Sequence, residues 1–473
     1  MTGLQLHGWK VWADVLVSLS MPSARVHYPR WLPALRRRMG FAWLAYPLAG
    51  LLSVMLVSCG RRESSGSEGA GDSNEKAQST GAVSVEDLGT EKRPAESQVQ
   101  DLPRYELRIA AADLDALENN PSNDTHPATF KAGGKVYNGV KVRVRGSWSR
   151  TWPKKSLKIL FDRGASFEGQ RSINLNSGWR DPAFVREPLA YYVYEKCGVL
   201  APRSRMVRLD VNGRFRGLYV EVEQPGKEFL SRVGLAGASV YKAASHGRDA
   251  DERDLGSEEA YRACYSKETQ KTESYAELQQ FCHGLDTATD KLDFFTRQVD
   301  LERYVNYLAA TALIQHWDGF NKNHFLVHDT RGSQKWIVIP WDLDRTFGDH
   351  WNGSFSETRL PLLLGTRNLP GITGWNRLED KFFREPALRT KLLDRMTELL
   401  DKEFTQEKLF PVLERLEKEV ASDAARDRSK WPGADPDIHS EIAQLKIFIG
   451  QRRKFLLGEI ERLRANPSEQ GRR

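Results

Sequence analysis

Cysteine is scarce in this chain, with four residues among 473 and no CxxC pair. Structural zinc sites usually draw on such closely spaced pairs, so the sequence argues against one. Cys59 follows an apolar run, which leaves three other cysteines. In an oxidising compartment, Cys264 and Cys282 are spaced to close a short disulfide loop.

A strong excess of one charge sign is missing from most of the chain. The formal net charge is +7, but residues 1–58 carry six basic side chains against the single acid Asp14. Beyond this segment the charges nearly balance, and the remaining excess is diffuse. A nucleic-acid-binding surface is therefore not expected.

One long apolar run, residues 41–58, lacks charged side chains and follows three arginines at 36–38. A basic flank before an apolar run is typical of a secretory signal. The run ends in LVSCG, which resembles a bacterial lipoprotein box with Cys59 as the lipidated residue. A single membrane-spanning anchor is the alternative, since 18 residues nearly cross a bilayer. Both interpretations place the rest of the chain outside the cytoplasm, attached to a membrane of the bacterial cell envelope.

Residues 59–100 are rich in Gly, Ser, Glu and Gln and contain few large aliphatic side chains. Such a segment buries too little apolar area to offset its ordering entropy, so it is predicted to be a flexible linker. The folded domain is then expected at 101–473. Its N-terminal part, about 101–240, is rich in predicted strands, and its C-terminal part, about 285–464, is rich in predicted helices, which indicates an α+β fold.

Several elements carry local signals of their own. An Asn-Gly pair at 138–139 predicts one hairpin turn, and another at 212–213 predicts a second. The other predicted elements are a strand at 154–162, a helix over 181–198, a helix over 292–317, a hairpin with its turn at 330–333, and three helices within 386–464.

The densest group of chemical side chains lies in HWDGFNKNHF and WDLDRTFGDH. Asp318 precedes Asn323 by five residues, after a predicted helix and before a predicted strand. Protein kinases use this interval for the acid that accepts the substrate proton and the amide that binds a metal ion. The predicted hairpin then returns the chain to Asp342 and Asp344. Oxygen ligands of this kind suit Mg²⁺.

Phosphoryl transfer also requires fixed positive charge at the phosphates. Lys155 and Lys158 lie in one predicted strand and on opposite faces, with a slight preference for Lys155. Glu187 or Glu223 is a candidate to orient the chosen lysine. Arg145 either contacts phosphate or occupies a solvated hairpin.

At these motifs the chain resembles a known family. RGSWSRTWPKKSLKI, NGRFRGLYVEVEQ, SVYKA, NKNHFLVHD and KWIVIPWDLDRTFG, in that order, are similar to blocks of the CotH family of spore-coat-protein-H-like atypical protein kinases. The resemblance covers about residues 102–460. It implies a divergent two-lobed kinase-like fold that transfers the γ-phosphoryl group of ATP, with Mg²⁺ or Mn²⁺, to Ser or Thr of a protein.

The resemblance also implies roles by motif. Asp318 matches the catalytic acid and Asp342 the metal-binding acid, while Lys242 joins Lys155, Lys158 and Glu223 as residues in matching blocks. The chain departs from ordinary kinases in two ways: no GxGxxG loop precedes the lysines, and Asp-Leu-Asp replaces Asp-Phe-Gly. Trp336 or Tyr241 is a candidate to stack on adenine, although either residue type is more often part of a core.

Two other functions compete with the kinase. His324 and His328 share one strand face, which allows a metal-dependent phosphohydrolase with a histidine ligand beside Asp342. A non-catalytic envelope scaffold is the third candidate. Burying several carboxylates without a cation is costly, and this favours an enzyme over a scaffold.

Overall fold

A computed structural model describes residues 101–243, 249–349, 376–431 and 437–466. The strands are β1 (Arg104–Ile109), β2 (His126–Ala132), β3 (Lys135–Val144), β4 (Leu157–Leu160), β5 (Ser172–Asn176), β6 (Ser204–Val211), β7 (Arg214–Glu223), β8 (Ser239–Ala243), β9 (Tyr265–Lys267), β10 (His324–His328) and β11 (Trp336–Pro340). The helices are α1 (Ala111–Asn119), α2 (Arg186–Lys196), α3 (Lys227–Arg232), α4 (Glu258–Cys264), α5 (Ala276–Thr287), α6 (Lys291–Gln298), α7 (Leu301–Ile314), α8 (Arg377–Arg384), α9 (Pro386–Lys402), α10 (Gln406–Lys430) and α11 (Ile438–Ala465).

This mixture of strands and helices confirms the α+β prediction, whereas the kinase-like two-lobed arrangement stays a prediction. The predicted leader (1–58), the predicted linker (59–100) and the predicted lipidation site Cys59 lie outside the described residues. Across the described ranges, no helix combines the length and the apolar character needed to span a bilayer.

The N-terminal strands close into a barrel in the order β1-β2-β3-β4-β5-β7-β6. Parallel pairing of β1 with β6 completes the circle, and the other neighbours are antiparallel. Alternation along each strand sends one set of side chains inward. Tyr105, Phe130, Ile159 and Tyr219 are among those that pack a separate hydrophobic core inside the barrel.

One of the two Asn-Gly turn predictions is right and the other is wrong. The pair at 212–213 connects β6 to β7 as expected. The pair at 138–139 lies inside the continuous strand β3, and the turn between β2 and β3 is instead at Gly133 and Gly134. Gly139 has φ +70°, close to a register shift in the pairing of β2 with β3, so it serves a bulge and not a turn.

A second sheet has the order β11-β10-β8-β9. The antiparallel pair β10–β11 is the predicted hairpin, with His324 opposite Pro340 at its open end. β10 also pairs with β8, which places Lys242 opposite Phe325. The sheet packs on α7, and both belong to the larger hydrophobic core that includes the C-terminal helices.

Helix α10 joins the C-terminal helices to the barrel through a buried ion pair. Lys154 Nζ lies 2.6 Å from Asp427 Oδ2, and the two residues are 0% and 2% exposed. The ammonium also donates to Leu218 O, and Leu218 N donates to the Asp427 carboxylate. A Cβ at Gly217 would collide with this carboxylate, so the close approach of α10 to β7 requires glycine there.

The C-terminal helices match their prediction, whereas the helix predicted before the site is divided in two. The three helices predicted within 386–464 are present as α9, α10 and α11. The single helix predicted over 292–317 is wrong, because α6 ends at Gln298 and α7 begins at Leu301. Asp300 caps the second helix with its side chain, and this capping bond is incompatible with an uninterrupted helix.

The predicted strand at 154–162 is shorter than expected, since β4 spans only Leu157–Leu160. Lys155 therefore lies before the strand and Lys158 within it. The suggested pairing of Cys264 with Cys282 is not found in the described part of the chain, where both side chains are buried thiols.

Candidate active site

The open end of the β10–β11 hairpin gathers the central residues of the site. Asn323 Nδ2 donates to Asp318 Oδ2 over 2.9 Å and to the Asp318 carbonyl over 3.2 Å. Trp341 N donates to Asn323 O over 3.0 Å, which holds the residue before Asp342 against the loop. The predicted return of the chain thus brings Asp318, Asn323 and Asp342 to one end of the sheet.

Two of these residues have a left-handed backbone. Asn323 has φ +60° and Asp342 has φ +59°. Asn and Asp tolerate this region better than other non-glycine residues, but it remains costly, and such conformations concentrate at functional sites. Gly319 has a different constraint, because a Cβ there would lie 2.8 Å from two atoms of the buried His316 ring.

Asp342 is exposed, and its charge acts on three other carboxyl groups. Burial and the Asp342 charge both raise the pKa of Asp318, against the opposing effect of the Lys322 ammonium 2.9 Å away. The same two causes hold the pKa of Asp344 well above its usual value. They also raise the pKa of Glu187, in the first turn of α2, to about 7. Asp342 is therefore the shared neighbour of a crowded group of acids.

Four cations lie close enough to affect one another's ionisation, and we call them the basic group: Arg143, Arg145, Lys158 and Lys242. Two of them interact with the acids, since the Arg145 charge opposes the raised pKa of Glu187 and the Asp342 charge opposes the lowered pKa of Lys242. Lys158 stands opposite Arg143 in the β3–β4 pairing, and its ammonium donates to Gln224 Oε1 over 2.7 Å. Burial, then the charges of Arg145 and Arg143, lower the pKa of Lys158 to about 7. Burial and Arg145 also lower the pKa of Lys242.

Trp341 links the basic group to the acids. Its buried ring lies under the Arg145 guanidinium, 5.5 Å from the ring centroid, and under the Lys242 ammonium at 5.9 Å. A cation over an aromatic face is stabilised by the ring quadrupole. Because Asp342 follows Trp341 directly, the ring holds two positive charges beside the exposed carboxylate, whose own charge favours the charged form of Lys242.

The donors at the hairpin end fit a divalent cation held together with phosphate. Among the described residues, no three His, Cys, Asp or Glu side chains converge closely enough to hold a metal ion alone. Mg²⁺ is commonly held by one or two carboxylates and completed by phosphate and water. Asp342 is exposed, and Asn323, whose amide nitrogen faces Asp318, has its amide oxygen left to act as a ligand. Asp344 is half-buried nearby.

Three predicted cofactor-binding residues are engaged elsewhere. The Lys155 ammonium donates to the carbonyl oxygens of Arg150 and Trp152. Glu223 accepts from the Arg232 guanidinium, 2.5 Å away. Trp336 is 2% exposed, and its ring stacks on His328 and Phe281 in the core. The preference for Lys155 over Lys158 is not supported by these placements, because Lys158, and not Lys155, belongs to the basic group with Lys242.

The two histidines of the hydrolase hypothesis are also engaged. His324 Nε2 lies 2.8 Å from Glu252, and its Nδ1 lies 3.0 Å from Gly319 O. His328 Nδ1 lies 2.7 Å from Glu277, and its Nε2 lies 3.3 Å from Gln334 O. With both nitrogens of each ring directed at oxygen atoms of the protein, neither histidine is placed to bind a metal ion beside Asp342.

Some site residues were not found from the sequence. Lys322 stands inside the DGFNKN motif, but its pairing with Asp318 over 2.9 Å depends on the conformation of the loop. Gln224, which accepts from Lys158, carries no local signal because the two residues are 66 positions apart. Glu187 was considered as a partner for the lysine, but it accepts from Asn176 Nδ2 instead.

Comparison with known proteins adds independent information. Inner spore coat protein H of Bacillus subtilis (strain 168) is 26% identical over 333 residues, covering 68% of this chain and 89% of that protein. The inner spore coat protein H-like protein of the same organism is 23% identical over 316 residues, covering 66% of this chain and 87% of that protein. Invasin CotH2 of Rhizopus delemar is 23% identical over 251 residues, covering 50% of this chain and 42% of that protein.

Among solved structures, the crystal structure of the Helicobacter pylori proinflammatory kinase CtkA matches 65% of this chain and 95% of its own at 8% identity. Its TM-score of 0.27 is too low to bear on the fold. The family model described as CotH kinase protein matches residues 142–456, which is more than half of the chain and includes the Asp318–Asp342 region. The chain therefore belongs to the CotH kinase protein family.

Proposed function

We propose that this protein is an atypical protein kinase that transfers the γ-phosphoryl group of ATP to Ser or Thr of an envelope or surface protein. The proposal includes a lipid anchor at Cys59 and a location outside the cytoplasm. The observation that carries the activity is the exposed Asp342, which raises the pKa of Asp318, Asp344 and Glu187 and interacts with the half-buried Lys242 of the basic group. Crowded carboxylates beside half-buried cations suit a site that receives a metal ion and a polyphosphate.

The proposed roles follow from these contacts. Asp318 accepts the proton of the acceptor hydroxyl, and its raised pKa makes it a better base than an exposed aspartate. Lys322, 2.9 Å from Asp318, supplies positive charge where the phosphoryl group would transfer. Asn323 and Asp342 would hold a divalent cation, which supplies charge neutralisation at the phosphates when bound. Lys158 and Lys242 bind the phosphates, in place of a glycine-rich loop.

The first test is transfer of label from γ-labelled ATP with Mg²⁺ or Mn²⁺. We expect labelled Ser or Thr in the protein or in added envelope proteins. In Asp318→Asn we expect a loss of about 10²–10⁴-fold in rate with ATP affinity retained, because the variant removes the base and leaves the cations. Label released only as inorganic phosphate would support the phosphohydrolase, and absence of nucleotide binding would support the scaffold.

ATP affinity should depend on pH through Lys158. Because its pKa is about 7, the ammonium loses its proton as the pH rises above that value. A neutral amine binds phosphate poorly. The dissociation constant for ATP should therefore increase by up to about tenfold per pH unit between about pH 7.5 and pH 9, where the phosphate charge is constant. Calorimetric titration at several pH values measures this slope.

The matched control for this prediction is Lys158→Met, which keeps an unbranched side chain without a titratable amine. It should bind ATP more weakly than the parent protein near pH 7.5 and show a flat pH profile. An equally steep profile in the variant would mean that another group carries the pH dependence.

A further inference from the structure

The loop between α7 and β10 is held by its backbone carbonyl groups. The oxygens of Gly319 and Lys322 lie 3.0 and 3.1 Å from His324 Nδ1. Phe320 O accepts from Asn376 Nδ2 over 2.8 Å, and Asn321 O accepts from Ala250 N over 2.9 Å. Four consecutive carbonyl groups between Asp318 and Asn323 are thus bound by partners that lie outside the loop.

Two of those partners converge on one carboxylate. Glu252 Oε1 lies 2.8 Å from His324 Nε2, and Glu252 Oε2 accepts from Asn376 Nδ2. The Tyr265 hydroxyl donates to Oε1 over 3.2 Å and accepts from Glu252 N over 3.0 Å. Glu252 is 1% exposed and has φ +56°, a left-handed backbone that glutamate rarely adopts. A strained, buried acid whose carboxylate binds two of the groups that hold one loop is an unusual arrangement.

The charges within this cluster are arranged to hold the loop. His324 faces carbonyl oxygens with one nitrogen and a carboxylate with the other, so its ring donates from both. Burial alone would lower the pKa of His324, but the Glu252 charge and these bonds outweigh it and raise the pKa. Nearby Glu379 is buried as well, and burial with the Glu252 charge raises the pKa of its carboxyl group.

We propose that Glu252 is a positioning residue for the catalytic loop, acting through His324 and Asn376 to fix the distance between Asp318 and the Asn323–Asp342 pair. Outer contacts of this kind set the orientation of catalytic and metal-binding groups, and a displacement near 1 Å lowers rates about 10²-fold. The proposal rests on the phosphoryl-transfer function proposed above.

The same strand offers a matched control. His328, at the other end of β10, lies 2.7 Å from Glu277 Oε2, and the Tyr241 hydroxyl donates to Glu277 Oε1. This second Glu–His–Tyr cluster has the same chemistry as the first but adjoins the hairpin turn and not the catalytic loop. Glu252→Gln and Glu277→Gln therefore neutralise the carboxylates that pair with the histidines at the two ends of β10.

Transfer kinetics and amide hydrogen exchange of the full chain test the proposal. Glu252→Gln should lower kcat by about 10–100-fold, leave the dissociation constant for ATP within about twofold, and increase exchange at residues 317–324. Glu277→Gln should leave kcat and exchange in this loop unchanged, even if both variants lose some thermal stability. Equal losses of kcat in the two variants, or unchanged loop exchange in Glu252→Gln, would overturn the proposal.

A second variant keeps the test decisive if Glu252→Gln does not fold. Asn376 caps α8 through its side chain, and Asn376→Ser retains a capping oxygen but is too short to reach Glu252. It should show the same kcat loss and faster loop exchange, while normal kcat with normal exchange would contradict the proposal. If the parent protein transfers no phosphoryl group, the proposed function fails, and the exchange comparison still decides whether Glu252 holds the loop.

Discussion

Asp342→Asn is expected to abolish phosphoryl transfer, with a fall of at least about 10³-fold, and to raise the melting temperature of the nucleotide-free protein. The loss follows because the carboxylate would hold the cation that neutralises charge in the transition state. The melting temperature should rise because the Asp342 charge opposes ionisation of Asp318, Asp344 and Glu187, and the substitution removes that charge. Labelled-ATP assays and calorimetry measure the two effects.

The substitution is chosen to change charge alone. Asparagine has nearly the same size and tolerates the left-handed backbone at this position, φ +59°. Asp401→Asn, at an exposed acid near the end of α9, is the control and should change neither quantity. Substantial transfer by Asp342→Asn would remove Asp342 from the metal site, and an unchanged or lower melting temperature would contradict the repulsion among the acids.

The second large effect concerns stability. Asp427→Asn should lower the free energy of unfolding by about 3–5 kcal/mol, because it leaves the buried Lys154 ammonium without its counter-charge. Burial already lowers the pKa of Lys154 to about 8, against the opposing effect of Asp427. The loss should appear as a lower midpoint in urea unfolding, with ATP binding by the folded fraction unchanged.

Asp423→Asn provides the comparison one turn earlier on α10. Asp423 is itself only 7% exposed, but its partners Arg208 and Arg426 have side chains that are 24% and 48% exposed, so its replacement should cost less than Asp427→Asn does. Replacing both partners of the buried pair, in Lys154→Met with Asp427→Leu, should recover part of the lost stability. Equal losses of unfolding free energy in Asp427→Asn and Asp423→Asn would mean that the buried Lys154–Asp427 pair contributes no more to stability than the more exposed pairs of Asp423.

The β10–β11 hairpin could be predicted because its signals are local. A polar turn at 330–333 separates two β-rich runs, and the pairing that follows fixes where Asp342 must lie. The failed turn at 138–139 has a physical reason as well. An Asn-Gly pair suits a turn and also a bulge, because both use a positive φ. Only the pairing of the barrel strands, which puts the turn at Gly133 and Gly134, decides which of the two forms at 138–139.

Other features of the site depend on contacts between distant residues. Alternation separates Lys155 from Lys158 but does not say which face of the strand is the barrel interior. The bonds from Glu252 to His324 and Asn376 span 72 and 124 positions. No local sequence pattern predicts such a cluster. Its individual residues resemble ordinary loop and cap residues until the fold brings them together.

Closure of the barrel also limits how the protein acceptor proposed above could be recognised. Pairing of β1 with β6 leaves no strand of the barrel with a free row of backbone donors and acceptors along its length. Within the described sheets, β9 and β11 are the outer strands of the four-stranded sheet, and β9 has only three residues. A polypeptide acceptor of the proposed kinase would therefore find little opportunity to dock on the barrel by strand addition.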